Sequence, residues 1–164
     1  KMEADNQRLV EKSETDPMTG LANRARLSDY SEKMMEYCRE QKIPLAMEII
    51  DIDYFKQYND CYGHQAGDEC IIAIAEQLKR MQSDRIFCAR YGGDEFIIVC
   101  ERDKNEEIMP VFNDLQRLFQ QSHEGLPDFS VSIGYAKYDE SLNYIPKFIE
   151  KADHYMYLNK NVKK

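Results

Sequence analysis

Four carboxylates are spaced so that they could share one task. Asp94 and Glu95 follow Gly92–Gly93 directly, between two runs of β-type residues, "RIFCARY" and "EFIIVC". Asp51 and Asp53 close the apolar run "LAMEIIDID". Residues two apart in a strand share a face, so these two acids point the same way. If that strand lies beside the Gly92–Gly93 turn, Asp51 meets Asp94 and Glu95. Converging carboxylates repel one another, and a divalent cation such as Mg²⁺ held with a nucleotide triphosphate resolves the repulsion. Each feature also has a plainer role: a solvated strand end for Asp51, a charged hairpin tip for Asp94 and Glu95, turn residues for the glycines. Spacing alone leaves both sets open.

The elements that must position these acids are legible from periodicity. "KMEADNQRLVEKSET" is a polar helical lead-in, and Pro17 and Gly20 punctuate the turn after it. Ala25 to Gln41 carries Leu27, Tyr30, Met34 and Cys38 on one helical face. "YFKQYNDCYGHQAGD" reads as a polar connection with one helical turn, and "ECIIAIAEQLKRM" as a strong helix. Gly-Gly between two β-type runs signals a hairpin whose turn requires positive φ. Asp103 with Glu106 resembles a capping pair opening a further helix through Phe119. "FSVSIGYAKY" alternates as a strand, and Ile145, Phe148, Ile149, Ala152 and Tyr155 mark a last helix. The order predicts an α+β fold: a mostly antiparallel central sheet flanked by amphipathic helices.

Bulk properties narrow the function. At 164 residues the chain fits one domain. A net charge of −8 speaks against a nucleic-acid polymer as partner, which needs clustered Lys and Arg. Five cysteines without a C-x-x-C pair fit a reducing, cytoplasmic setting. No apolar run reaches the roughly 18 residues of a membrane span. The chain opens on Lys, which fits a piece of a larger, membrane-anchored or soluble protein with a sensory or regulatory domain upstream.

"YGGDEF" resembles the signature of the GGDEF-domain diguanylate cyclases, and the likeness extends well beyond it. "DPMTGLANR", "DIDYFKQYNDCYGHQAGDE", "SVSIGYA" and "KADHYMYLNK" all resemble segments of that family, with Met18 where Leu is usual. The resemblance implies a palm-like domain over residues 16–164, behind a connecting helix over 1–15. It implies condensation of two GTP into cyclic di-GMP with release of two pyrophosphates, using Mg²⁺ or Mn²⁺. Asp51 and Asp94, with the Ile52 carbonyl, would hold the metal. Asp94, Glu95 and Lys56 would serve catalysis, Lys56 by steadying the triphosphate. Asn59 and Asp68 would hold the guanine, with Phe55, His64, Gly92, Gly93, Lys160 and Lys164 also at the substrate. Lys164 stands where the family usually has Arg, which makes a weaker fork on phosphate. A carboxylate such as Asp68 accepts from both donors of guanine's Watson–Crick edge, so GTP is expected over ATP. The family's R-x-x-D inhibitory site is replaced by Ser83 and Ile86, which implies no product inhibition there. A two-fold symmetric product implies a homodimer, each domain presenting one nucleotide. The alternative is a catalytically silent GTP-binding domain that signals by contact; a related cyclase with a mixed dinucleotide product is a third.

Overall fold

The computed structural model describes residues 2–101, 125, 127–138 and 145–163. Helix α1 (Met2–Glu14) leads in, and α2 (Arg24–Gln41) follows a tight turn. The Asn23 side chain caps α2 by accepting from the Arg26 amide at 3.0 Å. Then come β1 (Leu45–Ile52), α3 (Phe55–Tyr62), α4 (His64–Met81), β2 (Ile86–Gly92), β3 (Glu95–Glu101), β4 (Val131–Lys137) and α5 (Ile145–Lys163).

The strands form one sheet in the order β2-β3-β1-β4, and every pair is antiparallel. Strand alternation sends side chains to two cores. Ile50, Ile52, Phe96 and Ile98 face α4, where they meet Ile71, Ile74 and Leu78. Met47, Ile49, Ile97 and Val99 face α2 and α5, where they meet Leu27, Met35 and Phe148. Both sheet faces are thus covered as an α+β sandwich requires. Glu48, in the middle of β1, is fully buried. Burial pushes the nearby Cys88 thiol up, with Cys100 and Glu48 adding to the effect.

Two expectations need correction. The polar connection after β1 holds two helices rather than one turn, because Gly63 at φ +92° ends α3 and α4 begins at once. The hairpin is present, but neither Gly92 nor Gly93 has positive φ. The β2–β3 register shifts between Arg90 and Gly92, leaving Tyr91 as a bulge. A bulge adds local twist, so the two-residue link Gly93–Asp94 closes without a left-handed turn. The expected helix opening at Asp103 and Glu106 lies outside the described residues.

Candidate active site

The site forms where β1 ends beside the β2–β3 hairpin. Asp51 is the direct cross-strand neighbour of Glu95, and Ile50 of Phe96. This pairing carries Asp94, the last residue of the turn, against Asp51, and the two carboxyl groups share a hydrogen bond. Burial, then the hydrogen bond and charge of Asp51, push the Asp94 carboxyl up to about 7, with Glu95 contributing further. The acids that the sequence places on separate strands are therefore brought together.

A cleft of about 560 Å³ opens on this pair. It is lined by Asp51, Ile52, Asp94 and Glu95 on the sheet side and by Tyr54 to Gln57, Asn59, Asp60 and His64 on the helix side. Tyr54 takes a left-handed conformation at φ +53°, which turns the chain sharply from β1 into α3. No side chain caps the α3 N-terminus. The Phe55 to Gln57 end of the helix meets the cleft, where first-turn N–H groups suit phosphate oxygens.

Asn59 sits at the α3–α4 crossing. Its Oδ1 is buried and has no hydrogen-bond partner among the described residues. A Cβ at Gly67 would collide with that oxygen and come within 3.2 Å of Phe55 Cζ. Gly67 thus admits the Asn59 side chain between the helices. Asp68 is exposed one turn beyond His64 on α4 and does not line the cleft. Gly92 ends β2 and Gly93 is exposed at the turn. Lys160 belongs to the last turns of α5, but its side chain and all of Lys164 lie outside the described residues.

Asp53 does not join the pair. Its carboxylate accepts from Ser130 Oγ at 2.6 Å and from Ser132 Oγ, and its amide donates to the Ser130 carbonyl at 2.9 Å. It faces a second cleft of about 440 Å³ across α3, walled by Tyr54, Tyr58, Tyr62 and Phe129.

Sequence reading passed over Arg90. Its Nε and Nη2 both donate to the Gly93 carbonyl, at 3.1 and 2.8 Å. Its Nη1 donates to both oxygens of Asp16 at 3.3 Å. Arg90 stands two residues before the glycines, and Asp16 opens the motif "DPMTGLANR"; nothing in their spacing of 74 residues announces a contact.

Among the described residues, no group of three His, Cys, Asp or Glu side chains forms a metal cage. Mg²⁺ does not need one: it is commonly held by one or two carboxylates plus substrate phosphates, keeping several waters. A pair of hard carboxylate oxygen donors whose mutual repulsion a cation would offset, beside the start of α3, fits that ion. Ser83 and Ile86 form a small closed turn, the Ser83 amide donating to the Ile86 carbonyl at 3.1 Å and the Ser83 hydroxyl accepting from the Arg85 amide at 3.1 Å.

The profile of the family described as "Diguanylate cyclase, GGDEF domain" matches residues 13–164. Diguanylate cyclase DgcN of Escherichia coli is 34% identical over 166 residues, covering 98% of this chain and 40% of that protein. Diguanylate cyclase DgcP of the same organism is 30% identical over 162 residues, covering 96% of this chain and 48% of that protein. The chain spans less than half the length of both relatives. The crystal structure of the coiled coil and GGDEF domain of DgcB from Caulobacter crescentus, in complex with c-di-GMP, superimposes with a TM-score of 0.88 at 25% identity, covering 98% of this chain and 87% of that one. A sensory box/GGDEF family protein from the same organism gives 0.83 at 28% identity, covering 91% and 99%. With the acidic pair, the hairpin that carries it and a match over nearly the whole length, this chain belongs to the GGDEF domain family of diguanylate cyclases.

Proposed function

We propose that the domain is an active diguanylate cyclase that condenses two GTP into cyclic di-GMP and two pyrophosphates. The observation that carries this is the contact between Asp51 and Asp94 at the mouth of a nucleotide-sized cleft. Asp51, Asp94 and the Ile52 carbonyl would hold Mg²⁺ or Mn²⁺, which supplies charge neutralisation and alignment for attack of a 3′-hydroxyl on an α-phosphate. Lys56, at the cleft wall, steadies the triphosphate together with the N-terminal amides of α3. Glu95 keeps the floor of the cleft negative and is the second acid available to the metal or the proton. Asn59, which lines the cleft, would bond the base. Asp68, exposed on α4 one turn beyond His64 and outside the cleft lining, would accept from the guanine edge of a bound nucleotide, and Phe55 and His64 complete the wall. Lys160 and Lys164 are assigned to phosphate by the family resemblance alone.

One domain presents one nucleotide, so turnover needs two domains facing each other as a homodimer. The lead-in helix α1 exposes Met2 and Leu9 ahead of the proposed 16–164 catalytic domain.

The test mixes the domain with GTP and Mg²⁺ at high protein concentration and separates the nucleotides by chromatography. A cyclic dinucleotide peak is expected with GTP and none with ATP. Bound but unconverted GTP would replace this reading with that of a silent GTP-binding signalling domain.

A further inference from the structure

The acidic pair depends on a turn whose backbone conformation the glycines do not fix. Neither Gly92 nor Gly93 is in the left-handed region, and no atom lies within 4 Å of where a Gly93 Cβ would be. Something else must hold the loop, and a single side chain does so. The Arg90 guanidinium grips the Gly93 carbonyl through two donors. Its remaining Nη1 is clamped by both Asp16 oxygens. The charged heads are well shielded, at 14% and 16% exposure for the two side chains. Water therefore competes poorly for them, unlike an exposed pair.

Asp16 is itself fixed. Its Oδ2 accepts from the Thr19 amide at 2.9 Å and the Thr19 hydroxyl at 2.7 Å. Burial raises the Asp16 pKa, but the Thr19 bonds and Arg90 outweigh it, so the carboxyl stays below its usual range and remains charged. The same turn is strapped to β2 at two more points. The Arg90 amide donates to the Ala22 carbonyl at 2.9 Å. Arg24 Nε donates to the Tyr91 carbonyl at 3.2 Å, with its guanidinium 4.0 Å from the Tyr91 ring centroid. The turn begins where α1 ends, at Glu14.

We propose that Arg90 is the positioning residue of the acidic loop: anchored by Asp16, it holds the Gly93 carbonyl and so aims Asp94 at Asp51. This rests on the cyclase reading for its catalytic consequence and on geometry alone for its effect on metal binding. Lys cannot replace Arg90, because one ammonium cannot bond the Gly93 carbonyl twice and Asp16 at once. Misplacing a catalytic group by about 1 Å costs about 10²-fold in rate.

Three variants test it: Arg90→Lys, Asp16→Asn and the double variant. Each is assayed for kcat and KM with GTP, for Mn²⁺ binding in the absence of nucleotide by electron paramagnetic resonance, and for Tm. Arg90→Lys is expected to lower kcat about 10–100-fold with KM for GTP within about threefold, and to weaken Mn²⁺ binding about tenfold or more. Asp16→Asn follows in the same direction, and the double variant is no worse than Arg90→Lys because both act through one guanidinium. A lowered Tm with unchanged kcat per folded molecule and unchanged Mn²⁺ affinity would reduce the clamp to a structural tie and overturn the proposal. If the wild-type domain makes no cyclic dinucleotide, the cyclase reading falls, and the Mn²⁺ titration still decides the role of Arg90.

Discussion

Gly93 is a glycine that its backbone does not demand. Gly20, at φ +77°, and Gly63, at φ +92°, sit where an L side chain would be strained. Gly93 does not, and open space lies beside it. On the proposed cyclase reading a side chain there would meet the substrate. Gly93→Ala is therefore expected to leave Tm within about 2 °C, since it adds about the strain of an ordinary surface change, and to abolish most cyclic dinucleotide formation. A variant that unfolds, or one that retains full turnover, would contradict this account. Asp94 gives a second residue-level expectation. Its carboxyl is pushed up to about 7 by burial and by Asp51. Between an ordinary carboxyl value of about 4 and about 7, the folded protein holds a proton that the unfolded chain has lost. Metal-free stability should then fall as pH rises through that window, and Asp94→Asn should flatten the slope. Metal ligation requires the proton to leave, so Mg²⁺ should raise Tm more at pH 8 than at pH 6. Melting curves at a series of pH values, with and without MgCl₂, provide the check; a Mg²⁺ effect indifferent to pH would count against Asp94 as a ligand.

At the scale of elements, two contacts set the frame around the cleft. Helix α5 lies so close on β4 that a Cβ at Gly134 would run into the Ala152 carbonyl and approach the Met156 amide at 2.7 Å. The helix covers the sheet face that also buries Ser132, one of the two serines holding Asp53. Gly134→Ala is expected to destabilise the fold by about 1–3 kcal/mol through overpacking, read from urea unfolding at constant slope. An increase in stability would mean that α5 gives way freely. On the other face, α3 and α4 meet at Gly67, and the missing side chain there admits Asn59. The helix start and the Asn59 amide, assigned above to phosphate and base by proposal, are thus carried by one short helix, tied from behind by the Tyr58 hydroxyl donating to the Pro127 carbonyl at 2.9 Å.

For the whole molecule, the half-site picture makes concentration a variable. If each domain contributes one nucleotide, the rate of product formation at low protein concentration should rise with the square of that concentration, and an engineered dimer through α1 should restore linear dependence. A monomer with full, linear turnover would end the two-domain scheme.

The residue types and short spacings already contain much of this protein. Apolar runs and period-3.6 patterns mark β1, α2, α4 and the β2–β3 hairpin, and two Asp-bearing segments raise a shared cation as one reading beside plainer ones. Local physics suffices for these, because the helices bury one face each and the central strands, buried on both faces, read as apolar runs. The partition of the acids is another matter. Asp51 and Asp53 are equivalent in the strand pattern, yet one is paired with Asp94 and the other tied to Ser130 and Ser132, since their neighbours come from different strands on either side of β1. The same holds for Arg90 and Asp16, which are far apart in sequence and joined only because the turn after α1 packs on β2. Contacts of that kind follow from the order and register of strands, which a linear pattern of apolar and polar residues does not encode.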